Sequence, residues 1–243
     1  MRPQYAPTMR GAVAAGHPLT ASAGARVLAE GGNAVDACIA AAFVAAVAEG
    51  PLTGPAGGGF LLVHEPGGET VVLDCFFACP TEPLGELVEV VVDFADAGTQ
   101  AFRVGEGSVA VPGLLAGLDE AHRRYGSLTW EELVEPAIEL ARTGVDVDAP
   151  RAFLHGILSG ILLRTEEGTR VYGDPRRVAT DALVATLERV RDARAGAVAE
   201  LVPELASDLA AYRVLEHVPL DSDILGTQVF ATPAPSRGGA VVL

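Results

Sequence analysis

The chain has 243 residues, 49% of them hydrophobic and 5% aromatic, enough apolar material to bury one large core or two small ones. Its formal net charge is −15, and every basic residue is an arginine, a balance that argues against nucleic acid and anionic membrane surfaces as partners. The first ten residues, MRPQYAPTMR, lack the apolar stretch of a secretory leader, and the longest apolar run, Ala37–Ala48, is too short to span a bilayer; a cytoplasmic location is expected.

In chain order, Gly11–Gly16 reads as a short buried strand. HPLTASAGARVLAEGG then reads as a helix, capped by Thr20 or Ser22 and ended by Gly31-Gly32. Asn33–Asp36 starts a second helix through Ala48, apolar almost all round and therefore expected to be covered on every side. PLTGPAGGG (Pro51–Gly59) is loop, and its three consecutive glycines permit close approach of another backbone or of a ligand. Phe60–Glu65 and Glu69–Phe77 flank Pro66-Gly67-Gly68, a hairpin signal. Glu86–Ala95 and Gln100–Val104 are further strands, the acidic residues of the first forming a solvated face.

Pro112-Gly113 leads into a helix over Leu114–Tyr125, stopped by Gly126. Thr129 caps the next helix with Glu132 three residues on, the spacing of a capping box, and this helix runs to Gly144. Arg151–Leu163, Thr180–Arg194 and Val198–Ala211 read as helical, with Pro203 breaking or starting a helix in the last. Val229–Thr232 is a final strand. Cys75 and Cys79 would stand about 13 Å apart on one strand, too far for a disulfide, so Cys38, Cys75 and Cys79 are expected to be buried free thiols. The five histidines show no zinc spacing, GPAGGGF lacks the Lys-Ser/Thr of a phosphate loop, and neither a metal nor a cofactor is indicated. His17, in an HPL turn, reads as a hydrogen-bonded turn residue.

Residues 11–80, from GAVAAGHPLTASAG to VVLDCFFACP, resemble the start of the γ-glutamyltransferase (γ-glutamyltranspeptidase) family of N-terminal nucleophile hydrolases. The resemblance continues through SVAVPGLLAGLDEAHRRYGSLTWEELVEPAIELARTGVDV (Ser108–Val147), DLAAYRV (Asp208–Val214) and GTQVFATPAPSRGG (Gly226–Gly239), in the family's order. The stretch between Tyr172 and Asp208 is compressed relative to the family.

The resemblance implies an α/β (α+β) fold, an αββα sandwich of the N-terminal nucleophile hydrolase type. Residues 1–243 would form its large-subunit portion, incomplete without a small subunit or the chain's own C-terminal half. In such enzymes a precursor cleaves itself, and the freed α-amine of the new N-terminal threonine serves as base for its own hydroxyl. No threonine here follows a matching signature: Thr20, Thr53, Thr129 and Thr232 all fall in caps, loops or strands, and no catalytic residue is assigned. Three readings stay open: a piece of a longer gene, a split enzyme, or a non-enzymatic remnant that binds something. In each the chain is expected to be inactive alone, and an apolar segment cut at Ala240–Leu243 to leave a sheet edge uncovered.

Members acting on γ-glutamyl donors carry an arginine in a D-F-R-E-x-A-P segment that holds the donor's α-carboxylate. The matching segment here is Asp74–Pro80, DCFFACP, with Phe76 at the arginine's position, similar to a branch reading D-F-F-x-x-x-P. The substrate-binding set implied is Asp74, Phe76 and Phe77, with Arg103 a guess at a substitute cation from a strand that could pair beside this one. Strand alternation would point one of the two phenylalanines inward and the other away. The expected substrate is a small-molecule amide, γ-glutamyl-like or with an uncharged acyl group.

Overall fold

A computed structural model describes residues 11–242; residues 1–10, on which the reading of the N-terminus rests, lie outside it. Its centre is a layer of helices. α1 (Pro18–Ala29) packs on α2 (Ala34–Ala48), α2 on α3 (Leu114–Tyr125) and α4 (Trp130–Thr143), and α4 on α7 (Asp181–Ala193). As its sequence demands, α2 is enclosed nearly all round: Ile39, Phe43, Val44 and Val47 are all buried. Phe43 meets Trp130 edge-on at 5.3 Å, and Trp130 satisfies its indole N–H on the Val190 carbonyl at 3.0 Å.

The ends of α2 are tied to distant chain. Asn33 caps its first turn, and the buried carboxylate of Asp36 completes a capping box by accepting from the Asn33 N–H at 2.9 Å. The same carboxylate accepts from the Ser127 N–H and hydroxyl, which pins α2 to the junction between α3 and α4. At the other end the buried guanidinium of Arg151, in α5 (Ala149–Leu162), donates to the Ala48 carbonyl and touches the imidazole of His17.

His17, not Thr20 or Ser22, caps α1: its Nδ1 accepts from the Leu19 N–H at 3.1 Å, with Pro18 at the first helical position. Burial first, and the Arg151 cation next, hold the imidazole below its ordinary pKa, so it stays neutral and able to accept. Thr20 is buried instead, its hydroxyl donating to Glu49 at 2.7 Å.

A three-stranded antiparallel sheet lies against α3, in the order β1 (Gly59–His64), β2 (Thr70–Cys75), β7 (Leu215–His217). The β1–β2 hairpin turns at Gly67, whose φ of 74° only glycine adopts freely. β3 (Val88–Asp93) pairs with β4 (Thr99–Val104), with Glu86, Glu89, Asp93 and Asp96 exposed as expected. β5 (Val145–Asp146) pairs with β6 (Arg177–Val178), and β8 (Leu220–Ile224) with β9 (Thr227–Ala231). Short helices α6 (Glu166–Tyr172), α8 (Ala197–Leu201) and α9 (Ala206–Ala211) complete the second half, with Pro203 opening a 3-10 turn between the last two. The fold is thus α+β, a helical layer with a sheet on it.

Several local expectations are corrected. Gly11–Gly16 forms no strand and is mostly exposed; among the described residues no strand pairs with it. β2 stops at Cys75, so Cys79 is not on it; Cys75 is buried, whereas Cys38 and Cys79 are exposed thiols. α6, β7 and β8 carry too little periodicity to have been read locally.

Candidate functional site: an aromatic surface at the end of β2

The glycine loop, the end of β2 and the start of α3 meet at one place. The Gly57 carbonyl accepts from the N–H groups of Gly113 (3.1 Å) and Leu114 (2.9 Å), satisfying donors that the first turn of α3 would otherwise leave free. A Cβ on Gly58 would stand 3.0 Å from the Phe77 nitrogen, and one on Gly113 would overlap the Cys75 carbonyl and the Tyr212 hydroxyl. Gly58 and Gly113 therefore serve close approach of backbone to backbone, whereas Gly54 and Gly59 have open space beside them.

β2 ends here for a local reason. Asp74 Oδ1 accepts from the N–H of Phe76 at 3.0 Å, a turn in which a side chain replaces the ladder partner. The Phe76 carbonyl is taken by the Tyr212 hydroxyl at 2.7 Å, and Ala78 then forms an isolated bridge with Val111. Downstream, Thr81 is bonded through its N–H to Asp208 at 3.1 Å.

With alternation interrupted, both aromatic rings turn outward: Phe76 is 42% and Phe77 44% exposed. This overturns the expectation that one of them faces the core. Phe76 stacks on Phe60 with ring centroids 5.5 Å apart and planes 14° from parallel, and meets Phe77 at 5.1 Å. The result is a surface of three rings, presenting neither charge nor hydrogen-bond donors from its side chains.

Asp74 stands behind these rings. It is buried, and its second oxygen accepts from His217 Nε2 at 3.0 Å. The strand register explains the pair: His217 lies opposite Val72, so Asp74, two residues along β2, is its diagonal neighbour on the same face. Burial pushes the Cys75 thiol up to about 11, and its Sγ donates to the Gly59 carbonyl at 3.2 Å. Burial first, and then the neighbouring Cys75 and Asp74, push Tyr212 up to about 12, so its hydroxyl remains a proton donor at working pH.

The structure therefore brings together Asp74, Phe76 and Phe77 and leaves out Arg103. That residue lies on β4, which pairs with β3 and not with β2, and its guanidinium faces Glu89 across the hairpin at 3.1 Å. Sequence reasoning missed Tyr212 and His217. The first lies within DLAAYRV, a segment noted without a role; the second has no local signal, because only the β2–β7 register places it. Among the threonines, Thr20 bonds Glu49, Thr129 caps α4, and Thr232 donates to Ser236 at 2.9 Å.

A cleft of about 580 Å³ opens elsewhere, lined by Arg142, Arg170, Arg177, Asp174 and Asp181. Its cations are already engaged: Arg170 by Glu167 and Asp181, Arg142 by Glu188, Arg177 by Asp146. A cleft so neutralised offers a ligand little.

The helical layer, the sheet and the glycine loop bound to a helix start have the architecture of N-terminal nucleophile hydrolases, as comparison with solved structures shows. The Helicobacter pylori γ-glutamyltranspeptidase matches 96% of this chain and 72% of its own, with TM-score 0.79 and 26% identity. The Bacillus anthracis transpeptidase CapD matches 94% of this chain and 77% of its own, with TM-score 0.76 and 25% identity.

The sequence profile described as Gamma-glutamyltranspeptidase matches residues 20–176, and the chain belongs to that family. The glutathione hydrolase proenzyme of Escherichia coli K12 is 28% identical over 252 residues, 95% of this chain and 43% of that protein. The Acylase ACY 1 proenzyme of Pseudomonas sp. SE83 is 40% identical over 139 residues, 56% of this chain and 25% of that protein. The chain thus spans less than half the length of these relatives. Among the described residues, no helix is long and apolar enough to cross a membrane.

Proposed function

We propose that these residues supply the scaffold and one wall of the acyl pocket of an amidohydrolase or acyltransferase, and that the acyl group lies against Phe60, Phe76 and Phe77. The nucleophile comes from sequence outside these 243 residues, encoded in the same gene or as a separate subunit. Alone, the 243 residues are inactive. In the completed protein a threonine hydroxyl adds to the amide carbonyl and its proton passes to the threonine's own α-amine. The amide C–N bond then breaks, the leaving amine takes that proton, and water or a second amine resolves the acyl ester.

The observation that carries the reading is the exposed, stacked Phe76 ring at the position where the family resemblance places a carboxylate-binding guanidinium. An aromatic face rewards an apolar acyl group and offers a carboxylate nothing. The D-F-F-x-x-x-P-like segment is then a substrate-determining trait of this branch.

The test is to complete the chain with the small subunit of a full-length relative and compare uncharged acyl anilides with the γ-glutamyl anilide. A higher kcat/KM for an uncharged acyl anilide is expected. A preference for the γ-glutamyl compound would refute the reading, and turnover by the isolated chain would refute the placement of the nucleophile.

A further inference from the structure

We propose that His217 and Tyr212 are positioning residues that hold the Phe76 peptide from both sides and thereby fix the aromatic face presented to the acyl group. The inference rests on the acyl-pocket reading above, and adds how the pocket is kept in shape.

Phe76 and Phe77 lie between the end of β2 and the Ala78–Val111 bridge, with no ladder partner of their own. Exposed rings on such chain would ordinarily sample several directions. Here the Phe76 peptide groups are both bound. The N–H goes to Asp74 Oδ1 at 3.0 Å and the C=O to the Tyr212 hydroxyl at 2.7 Å.

The two anchors come from one short stretch of chain, five residues apart. Tyr212 directly follows α9, and His217 ends β7. His217 reaches Asp74 Oδ2 at 3.0 Å and so fixes the carboxylate whose other oxygen binds the Phe76 N–H. Asp74 therefore acts through Phe76; both of its oxygens are occupied by the protein. Gly113 adjoins the Tyr212 hydroxyl so closely that no side chain fits between them, which sets the hydroxyl's place.

The arrangement makes a prediction that a merely structural pair would not. Removing the His217 donor should loosen the Phe76 peptide while leaving the fold intact, and a side chain that restores the donor at the same place should restore it. Glutamine is that side chain, because its terminal nitrogen can stand where His217 Nε2 does.

The experiment is amide exchange by NMR on the 243-residue chain labelled with 15N-phenylalanine, with the Phe76 peak assigned by its loss in Phe76→Leu. In His217→Ala and in Tyr212→Phe, the Phe76 amide should exchange about tenfold faster, as expected for loss of one hydrogen bond to a held group. In His217→Gln it should return to the wild-type rate, with the phenylalanine peaks remote from the site, Phe43, Phe94, Phe102, Phe153 and Phe230, unmoved throughout. Unchanged Phe76 exchange in both deletion variants would overturn the proposal, as would failure of glutamine to restore it. Collapse of every peak in Tyr212→Phe, which removes a single hydroxyl, would assign these residues to global stability instead and overturn it equally. No substrate enters this measurement, so a rigid Phe76 in a protein that prefers γ-glutamyl anilides would sink the substrate reading alone.

Discussion

Asp36 is the most exacting test of how the helical layer is held. Its side chain is fully buried, and it accepts from the Asn33 N–H at 2.9 Å, the Ser127 N–H at 3.0 Å and the Ser127 hydroxyl at 2.5 Å. Hydrogen bonds to a charged acceptor are worth about 1.5–3 kcal/mol each, and the three share one acceptor, so their contributions do not simply add. Asp36→Ala deletes the acceptor and strands these donors, and the expected loss is about 3–5 kcal/mol. For a chain of this length each kcal/mol moves Tm by about 2–4 °C, so melting should fall by roughly 10 °C. Ser127→Ala removes only the hydroxyl and should cost about 1–2 kcal/mol.

The pH dependence has a definite sign. Burial raises the Asp36 pKa, but the bonds from Ser127 and Asn33 together outweigh it, and the folded value lies below the ordinary one. The contribution is therefore complete above the ordinary carboxylate range, near pH 4, and lost as pH falls through the lower folded value. Urea melts of both variants at pH 7, repeated for the wild type toward acid, measure these quantities. A loss under about 1 kcal/mol for Asp36→Ala would refute the argument, because stranded buried donors cannot cost so little.

Other outcomes follow from single contacts. Gly113→Ala places a methyl group against the Cys75 carbonyl, which is rigid backbone, and should cost about 2–3 kcal/mol in urea melts. Leu133→Ala empties a fully buried position of α4 and should cost about 2–5 kcal/mol by the same measurement. At pH 8 a thiol reagent should label exposed Cys79 readily and reach Cys75, whose thiol lies near 11, only after unfolding; mass spectrometry of the labelled peptides distinguishes them.

What the sequence disclosed was mostly short-range chemistry. Asn33, Thr129 with Glu132, Gly126 and the Pro66–Gly68 turn all act within a few residues of themselves, and each does in the structure what its type dictates. The cap of α1 was misread because an imidazole held neutral by burial accepts as well as a hydroxyl does. The outward turn of both Phe76 and Phe77 was hidden in Asp74, which ends its own strand by bonding the nitrogen two residues on. Strand alternation could not anticipate that. Arg103 failed as a neighbour of β2 because strand partnership is settled by long-range pairing, and β4 closes on β3 through its own turn. His217 enters the site by register alone.

Phe76 is proposed to occupy the position that elsewhere in the family would bind a carboxylate. The most direct measurement is the ratio of kcat/KM for an uncharged acyl anilide to that for the γ-glutamyl anilide, in the completed protein and in its Phe76→Arg variant. A carboxylate buried in the completed pocket against a ring, with no cation to pair it, costs several kcal/mol, so the variant should lower the ratio by about 100-fold or more, toward the γ-glutamyl donor. A ratio that is the same in both proteins, with γ-glutamyl already preferred by the wild type, would contradict the assignment of Phe76 and with it the proposed acyl pocket.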